Sequence, residues 1–434
     1  MRLTIEKMIY GGDGLARLPA DEHGPGKAAF LPYVLAGEDV EAVVVEERPG
    51  FVRAGAEAIL TTSPQRIAPR CPYFQRCGGC HYQHAAYEYQ LEIKSVILKE
   101  NLRRIAKLEL HKELIAHPSP PWNYRNRTRL KVQTGPQFAL GYYRLNSHEL
   151  LSVEQCPISS PLINQTIDKL WDFGRAGDMA AQLEELELFA SADDSQLLVE
   201  AYCTSETADQ AQSWAEQIHQ ALPGAIGVAV FEARTSTQHP GASAESKLLI
   251  SSGVTALDYK TKSAAYRVSA GSFFQINRHL TEELVDIVTA GHSGKTALDL
   301  YAGVGLFSSV LNREFERVIA VESSPTSHAD LLYNSPSNVK AVRATTEQYL
   351  KNAVGKLRPD LVVVDPPRGG LGDKVVRGLG ELAAPHIVYV SCDPATFARD
   401  LGRLLTFGYR VEQAHLVDLF PQTYHVESVF HLVR

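Results

Sequence analysis

Between about residues 266 and 434, short apolar runs alternate with stretches that suit helices. The runs are TALDLYAG, RVIAVE, VKAVRA, LVVVDPP and HIVYVSC, and the chain finishes with YRVEQAHLVDLF and SVFHLVR. Runs this continuous suit strands covered on both faces, and strand–helix alternation predicts an α/β class with a doubly wound, Rossmann-like sheet. In such sheets ligands bind outside the carboxyl ends of the strands. Chemistry is therefore expected where these runs stop, at Gly303, Glu322, Asp365 and Cys392.

A chain of 434 residues with 44% apolar content exceeds what one core usually supports, so two or three domains are expected. Residues 1–62 read as short strands (RLTIEKMI, AAFLPYV, DVEAVVVEE, RAGAEAIL) with a turn at Gly11–Gly14, which fits a small β-barrel of oligonucleotide-binding type or a β-module without a ligand. Residues 63–265 are mixed α+β. They hold a Cys-rich stretch, a helix-like run YEYQLEIKSVILKENLRRI, strand-like QLLVEAYCTS and GAIGVAVFEA, and a loop expected at His239–Ser246. Residues 266–434 form the third domain. The N-terminus lacks a basic segment followed by an apolar one, and no eighteen apolar residues run together without a charge. The expectation is a cytoplasmic protein with no membrane partner, acting as a monomer.

In DLYAGVGLF, Gly303 and Gly305 follow an apolar strand, so backbone can approach a ligand closely. The next strand ends in Glu322, where a carboxylate can accept hydrogen bonds from ribose hydroxyls. A dinucleotide site or a packing turn would use the same glycines. The missing full G-x-G-x-x-G and the aromatic Tyr301 favour S-adenosylmethionine. The fourth strand ends in Asp365-Pro366-Pro367-Arg368; Asp-Pro-Pro followed by an aromatic residue marks methylation of exocyclic amines, and Arg368 stands in that place.

Cys392 lies where the fifth strand stops, among Ser391, Asp393 and Pro394. An isolated buried Cys is usually an inert small hydrophobe, but a thiol at a polar strand end can be activated. Carbon 5 of uracil is too weak a nucleophile to attack a sulfonium methyl. Thiolate addition at carbon 6 places negative charge on carbon 5, and a base must afterwards remove the carbon-5 proton. Glu427, in YHVESVF, is the carboxylate assigned to that step; a surface Glu in a hairpin is the competing reading.

The net charge of −7 argues against a generally basic nucleic-acid surface, yet residues 71–160 carry 12 Lys and Arg against 7 Glu. In that stretch Cys71-x5-Cys77-x2-Cys80, with Cys156 downstream, supplies four thiols. Three close thiols plus one distant favour a [4Fe–4S] cluster over structural zinc, which more often uses two separated pairs. On a strand, YRNRTRLKV would project Arg125, Arg127, Arg129 and Lys131 to one face, as a solvated charged face or as a phosphate track.

Taken together and in order, GGDGLAR, FLPYVLAGEDV, the C-x5-C-x2-C with its distant Cys, YRNRTRLKV, SFFQIN, DLYAGVGLFS, VESS, DPPRGGL, VSCDP and HVESVFHL resemble the iron–sulfur-cluster-containing uracil-5 RNA methyltransferases over nearly the whole chain. The resemblance implies a TRAM-like N-terminal barrel, an adenosylmethionine site lined by Gln275, Tyr301, Glu322 and Asp365, Cys392 as nucleophile and Glu427 as base. It also implies a [4Fe–4S] cluster on Cys71, Cys77, Cys80 and Cys156, and ribosomal or transfer RNA as partner. Two positions depart from the pattern: Leu306 follows Gly305 where a polar residue is common, and Asp393 replaces a common Asn. RNA cytosine-5 methylation would place Pro-Cys after the fourth strand, where Asp365-Pro366-Pro367 stands; a non-catalytic RNA-binding scaffold would have no need of Cys392 and Glu427.

Overall fold

The computed structural model describes residues 1–19, 26–135, 137–180, 182–204, 208–233 and 246–434; of the loop expected at His239–Ser246, all but Ser246 lies outside the described residues. The apolar runs of the C-terminal part pair into one sheet. Its order is Val339–Arg343, Phe315–Glu322, Gly294–Leu300, Leu361–Val364, His386–Ser391, Glu427–Val433, Arg410–Val417 and Leu114–His117. The first five are mutually parallel, and Glu427–Val433 runs antiparallel to both neighbours. This is the doubly wound α/β sheet that the alternation predicts.

Alternate side chains of these strands feed two cores. Val318, Ala320, Val363, Val388 and Val429 pack with Leu284, Val288 and Leu331 of the helices Thr281–Thr289 and Pro325–Asn334. Ile319, Val321, Val362, Val364 and Phe430 pack with Leu350, Val376, Leu379, Leu401 and Leu404 of the helices Thr346–Ala353, Gly372–Leu382 and Pro394–Thr406. The central strands are buried on both faces because both sets of their alternate positions are mostly apolar, while the edge strands Val339–Arg343 and Leu114–His117 are only partly covered.

Two elements join the stretches on either side of the boundary expected near residue 265. Leu114–His117, from the central stretch, completes the catalytic sheet as a parallel edge strand, and Leu98 and Leu102 of the preceding helical run join its core. The hairpin Ala256–Lys260 with Ala265–Ser269 spans the boundary itself, pairing Ala256 with Ser269. Sequence pattern could not place either segment, since a four-residue strand declares no partner. The helix Tyr87–Asn101 continues into a π-helical turn, Leu102–Ala106, that ends at Lys107 with φ 56°.

A seven-stranded sheet fills the middle of the chain, ordered Leu150–Ser152, Ala139–Tyr143, Arg127–Gln133, Leu183–Ala190, Leu197–Cys203, Ala225–Glu232 and Leu248–Gly253. One face is covered by the helix Pro161–Ala176 and by Trp214, Ala215 and Ile218 of the helix Ala208–Ala221. Phe189, Leu198 and Phe231 enter the same core as the catalytic sheet.

The N-terminal six-stranded sheet is ordered Arg2–Thr4, Asp39–Glu47, Phe51–Thr61, Ala28–Pro32, Asp13–Arg17 and Lys7–Met8. The turn expected over Gly11–Gly14 is narrower. Gly11 and Gly12, at φ 107° and 97°, make it, and Asp13 begins a strand that sequence reading missed because DGLAR is poor in strand formers. Gly14 has a packing reason: a Cβ there would lie 2.5 Å from Val34 Cγ2 and 2.8 Å from Ile5 Cγ2. Among the described residues no helix is long and apolar enough to cross a membrane.

Candidate active site

The strand Gly294–Leu300 carries Asp299, wholly buried, whose Oδ2 accepts from the Ser308 backbone N–H and hydroxyl while Oδ1 has no hydrogen-bond partner. Burial pushes this carboxyl up to about 7, with the Glu322 charge adding to it. Beyond the strand the backbone turns through three left-handed residues, Tyr301 at φ 62°, Gly303 at 56° and Gly305 at 95°. A non-glycine there is uncommon and marks a conformation imposed by its surroundings. A Cβ on Gly303 would meet nothing within 4 Å, so the turn faces open space.

Glu322, at the end of the next strand, holds this turn from the side: Oε2 accepts from Gly303 N at 2.9 Å and Oε1 from Ser324 N at 2.6 Å. Gln275 is buried in the segment between the Ala265–Ser269 strand and the Thr281–Thr289 helix. That segment is pinned on both sides, Asn126 N donating to Ile276 O, and Asn277 Nδ2 donating to Ser119 Oγ and Leu419 O.

Asp365, Cys392 and Glu427 meet at the carboxyl ends of the neighbouring strands. The register Ser391↔Ser428 places the start of the antiparallel strand beside the residue that follows Ser391. Glu427 is buried rather than exposed in a hairpin, so the surface reading of it is corrected. Burial, then the Asp365 charge, raises its pKa well above the usual carboxylate range. Asp365 is pushed up to about 7 by burial and by Asp299. The Cys392 thiol is pushed up to about 12 by burial and then by the Glu427 and Asp365 charges, with Arg368 opposing them. Two buried carboxyls that raise each other's pKa share a single proton near neutral pH, which leaves one of them ionised beside the thiol.

The pattern-departing Asp393 caps the helix Pro394–Thr406, accepting from Ala395 N at 3.0 Å and Thr396 N at 2.8 Å. Arg368 reaches His425, Nη2 to Nε2 at 3.4 Å, and its carbonyl accepts from Thr396 Oγ1. Sequence reading overlooked His425, whose pKa is pushed down to about 3 by burial and by Arg368. It also overlooked Tyr10, which the turn after the first strands of the N-terminal sheet brings beside Asp393. Proximity of His425 to Glu427 in the chain was the available signal for the first; none existed for the second.

Three of the row Arg125, Arg127, Arg129 and Lys131 are held by carboxylates. Arg127 is buried between Glu187 and Glu200, Arg129 pairs with Glu187 and Glu185, and Lys131 with Glu185. Glu185 and Glu187 sit on the adjacent strand, directly across the register Glu187↔Arg129 and Glu185↔Lys131, and Glu200 on the strand beyond it. Their charge offsets that of Arg127, Arg129 and Lys131, and a local count of basic residues could not reveal it.

Cys71, Cys77, Cys80 and Cys156 line one cavity of about 360 Å³ together with Arg125, Tyr142 and Tyr143. None is in a disulfide. Burial raises the pKa of Cys71, Cys77 and Cys80, that of Cys77 to about 11, and the Cys156 charge adds to all three. Among the described residues no three Cys, His, Asp or Glu side chains stand close enough together to hold one metal ion.

The family profile described as tRNA (Uracil-5-)-methyltransferase matches residues 86–434. The chain belongs to this family. The methyltransferase is 33% identical to an uncharacterized RNA methyltransferase of Aquifex aeolicus, over 99% of this chain and 97% of that one. It is 31% identical to the 23S rRNA (uracil(1939)-C(5))-methyltransferase of Erwinia tasmaniensis, over 99% and 96%. In structure it resembles the Pyrococcus abyssi tRNA (uracil-54, C5)-methyltransferase in complex with S-adenosyl-L-homocysteine, with a TM-score of 0.77, 24% identity and full coverage of both chains. Its activity is S-adenosylmethionine-dependent RNA uracil-5 methylation.

Proposed function

We propose that the methyltransferase acts on a uridine of large-subunit ribosomal RNA through a covalent adduct, with Cys392 as nucleophile and Glu427 as base. The observation that carries the reading is the meeting of Cys392, Glu427 and Asp365 at adjacent strand ends, where the register Ser391↔Ser428 sets Glu427 beside Cys392. Cys392 gives up its proton to solvent water and its thiolate sulfur bonds to carbon 6, which moves electron density onto carbon 5. Adenosylmethionine, when bound, supplies the methyl group as an electrophile. Glu427 as carboxylate then takes the carbon-5 proton, and the Cys392–carbon-6 bond breaks to release the product and the thiolate. Tritium release from 5-tritiated uridine in RNA tests the reaction: release that Cys392→Ala abolishes is expected, and release from labelled cytosine or none at all would refute it. The ribosomal assignment follows the Erwinia relative's substrate; transfer RNA, named in the family's description, is the second reading.

Gln275, Tyr301, Glu322 and Asp365 are assigned to adenosylmethionine. The open face of the Gly303 turn and the unpartnered Asp299 Oδ1 beside it support a polar ligand there. Glu322→Ala is expected to weaken adenosylmethionine binding about tenfold to a hundredfold, the loss of hydrogen bonds to a charged group, and to change RNA affinity little. Calorimetry and filter binding separate the two, and the converse pattern would move the cofactor elsewhere.

A [4Fe–4S] cluster is assigned to Cys71, Cys77, Cys80 and Cys156 because the four thiols line one cavity and make the all-cysteine donor set that such a cluster takes. Bound there, the group would brace the chain between residues 71 and 156. Protein purified without oxygen is expected to be brown with about four iron per chain; stoichiometric zinc without visible absorption would overturn the assignment. We further assign residues 1–62 to a TRAM-like RNA-binding barrel, 63–265 to a central RNA-facing domain and 266–434 to the catalytic domain, working as a cytoplasmic monomer.

A further inference from the structure

Three parts of the chain far apart in sequence bring aromatic rings together beside the Cys392 strand end. Tyr10 comes from the turn after the strand Lys7–Met8, His81 follows Cys80, and Tyr424 and His425 precede Glu427. Tyr10 meets Tyr424 edge to face at 5.5 Å between centroids, His81 lies 4.6 Å from Tyr424, and Tyr424 lies 4.4 Å from His425. All four are half-buried, in contrast to the wholly buried Tyr82 and Tyr124 of the interior.

The group is tied to the catalytic wall on two sides. Tyr10 lies beside Asp393, the residue after Cys392, and Arg368 reaches His425. Tyr424 and His425 stand on a loop held from below, where His81 N and Tyr82 N both donate to Gln422 O and Gln90 Nε2 donates to Gln422 Oε1. His81 Nδ1 is buried without a hydrogen-bond partner. The result is a rigid, partly open aromatic surface with a cation beside it and a spare ring nitrogen.

An RNA base drawn out of its stack leaves its neighbours without a stacking partner, and aromatic side chains replace such partners with little regard to base identity. We propose that Tyr10, Tyr424 and His425 form a stacking site for the nucleobase adjacent to the target uridine. This rests on the RNA uracil-methylation reading given above. It extends that reading by giving the N-terminal sheet a direct part in substrate placement: Tyr10 brings the sheet to the mouth of the site, and the base is recognised by its π-face rather than by its sequence.

The test uses the full-length protein and a short RNA hairpin with one loop uridine, carrying 2-aminopurine at its 5′ or 3′ neighbour. Binding to the wild type is expected to quench the fluorophore at one of the two positions. Tyr424→Phe should keep the quench, while Tyr424→Leu and Tyr10→Leu should relieve it and raise Kd roughly tenfold. With an abasic nucleotide at that position, the Leu variants and the wild type should bind alike, since the contact is already lost. Equal quenching by wild type and Leu variants, or a Leu penalty that persists on the abasic RNA, would overturn the stacking site. Tyr10→Leu lies on a separate element, so the proposal remains open to refutation if Tyr424→Leu misfolds. Tritium release is measured in parallel: normal release with unchanged quenching and affinity in the Leu variants removes the stacking site alone, whereas a wild type without release removes the functional reading and the stacking site with it.

Discussion

Glu427→Gln is expected to stop after methyl transfer, accumulating a covalent complex with RNA that carries the labelled methyl group and survives denaturing electrophoresis. Thiolate addition and methyl transfer both precede removal of the carbon-5 proton, so a variant lacking only the base can complete both. Gln preserves the shape of the side chain but cannot accept the proton as a carboxylate does. The site should tolerate the exchange, because Glu427 is buried with its pKa raised and a neutral amide adds no charge beside Asp365. Turnover should fall by about 10²–10⁴. Cys392→Ala, alone or combined with Glu427→Gln, should form no complex, since the bond runs through the sulfur. Normal turnover of Glu427→Gln, or a trapped complex without Cys392, would assign the wrong base or the wrong nucleophile.

Asp418→Ala is expected to cost roughly 3–5 kcal/mol of stability. Lys94 and Asp418 are 0% and 1% exposed and pair at 2.6 Å, and the same carboxylate accepts from Tyr87 Oη at 2.9 Å. Removing it leaves an ammonium in the interior with only the Phe420 carbonyl, 3.0 Å away, as partner. The pair joins the helix Tyr87–Asn101 to the start of the loop that leads through Tyr424 to Glu427, so activity should fall with stability. Replacing both charges, as in Lys94→Met with Asp418→Leu, should recover much of the loss because no lone charge then remains buried. Denaturant midpoints of the two variants and the wild type measure this. A single variant as stable as the wild type would show that solvent reaches Lys94.

Much of the site's position was legible in the chain before folding. Gly303, Glu322, Asp365 and Cys392 each end an apolar run, and in a sheet buried on both faces the end of such a run is where polarity returns and ligands can bind. The four clustered thiols were legible for a similar reason: Cys spacing survives in the linear sequence, and the fold brings all four to one cavity. The helix entry at Asp393-Pro394 is likewise local, a capping side chain followed by a residue preset for the first turn.

What tertiary structure decided is whatever depends on a partner distant in sequence. The basic row looked like a free cationic strand because its neutralising residues, Glu185, Glu187 and Glu200, lie across the sheet. Glu427 could be read as a surface residue until the register Ser391↔Ser428 set it beside Cys392 and buried it. Leu114–His117 carries no mark of the sheet it completes, and Tyr10 stands more than 380 residues from the Asp393 that it lies beside. Side-chain periodicity and capping act over a few residues, so the sequence by itself determined the strands, the turns and the ends at which chemistry collects. Charge pairing, burial of carboxylates and the joining of the N-terminal sheet to the catalytic wall act through space, and only packing brings those groups together.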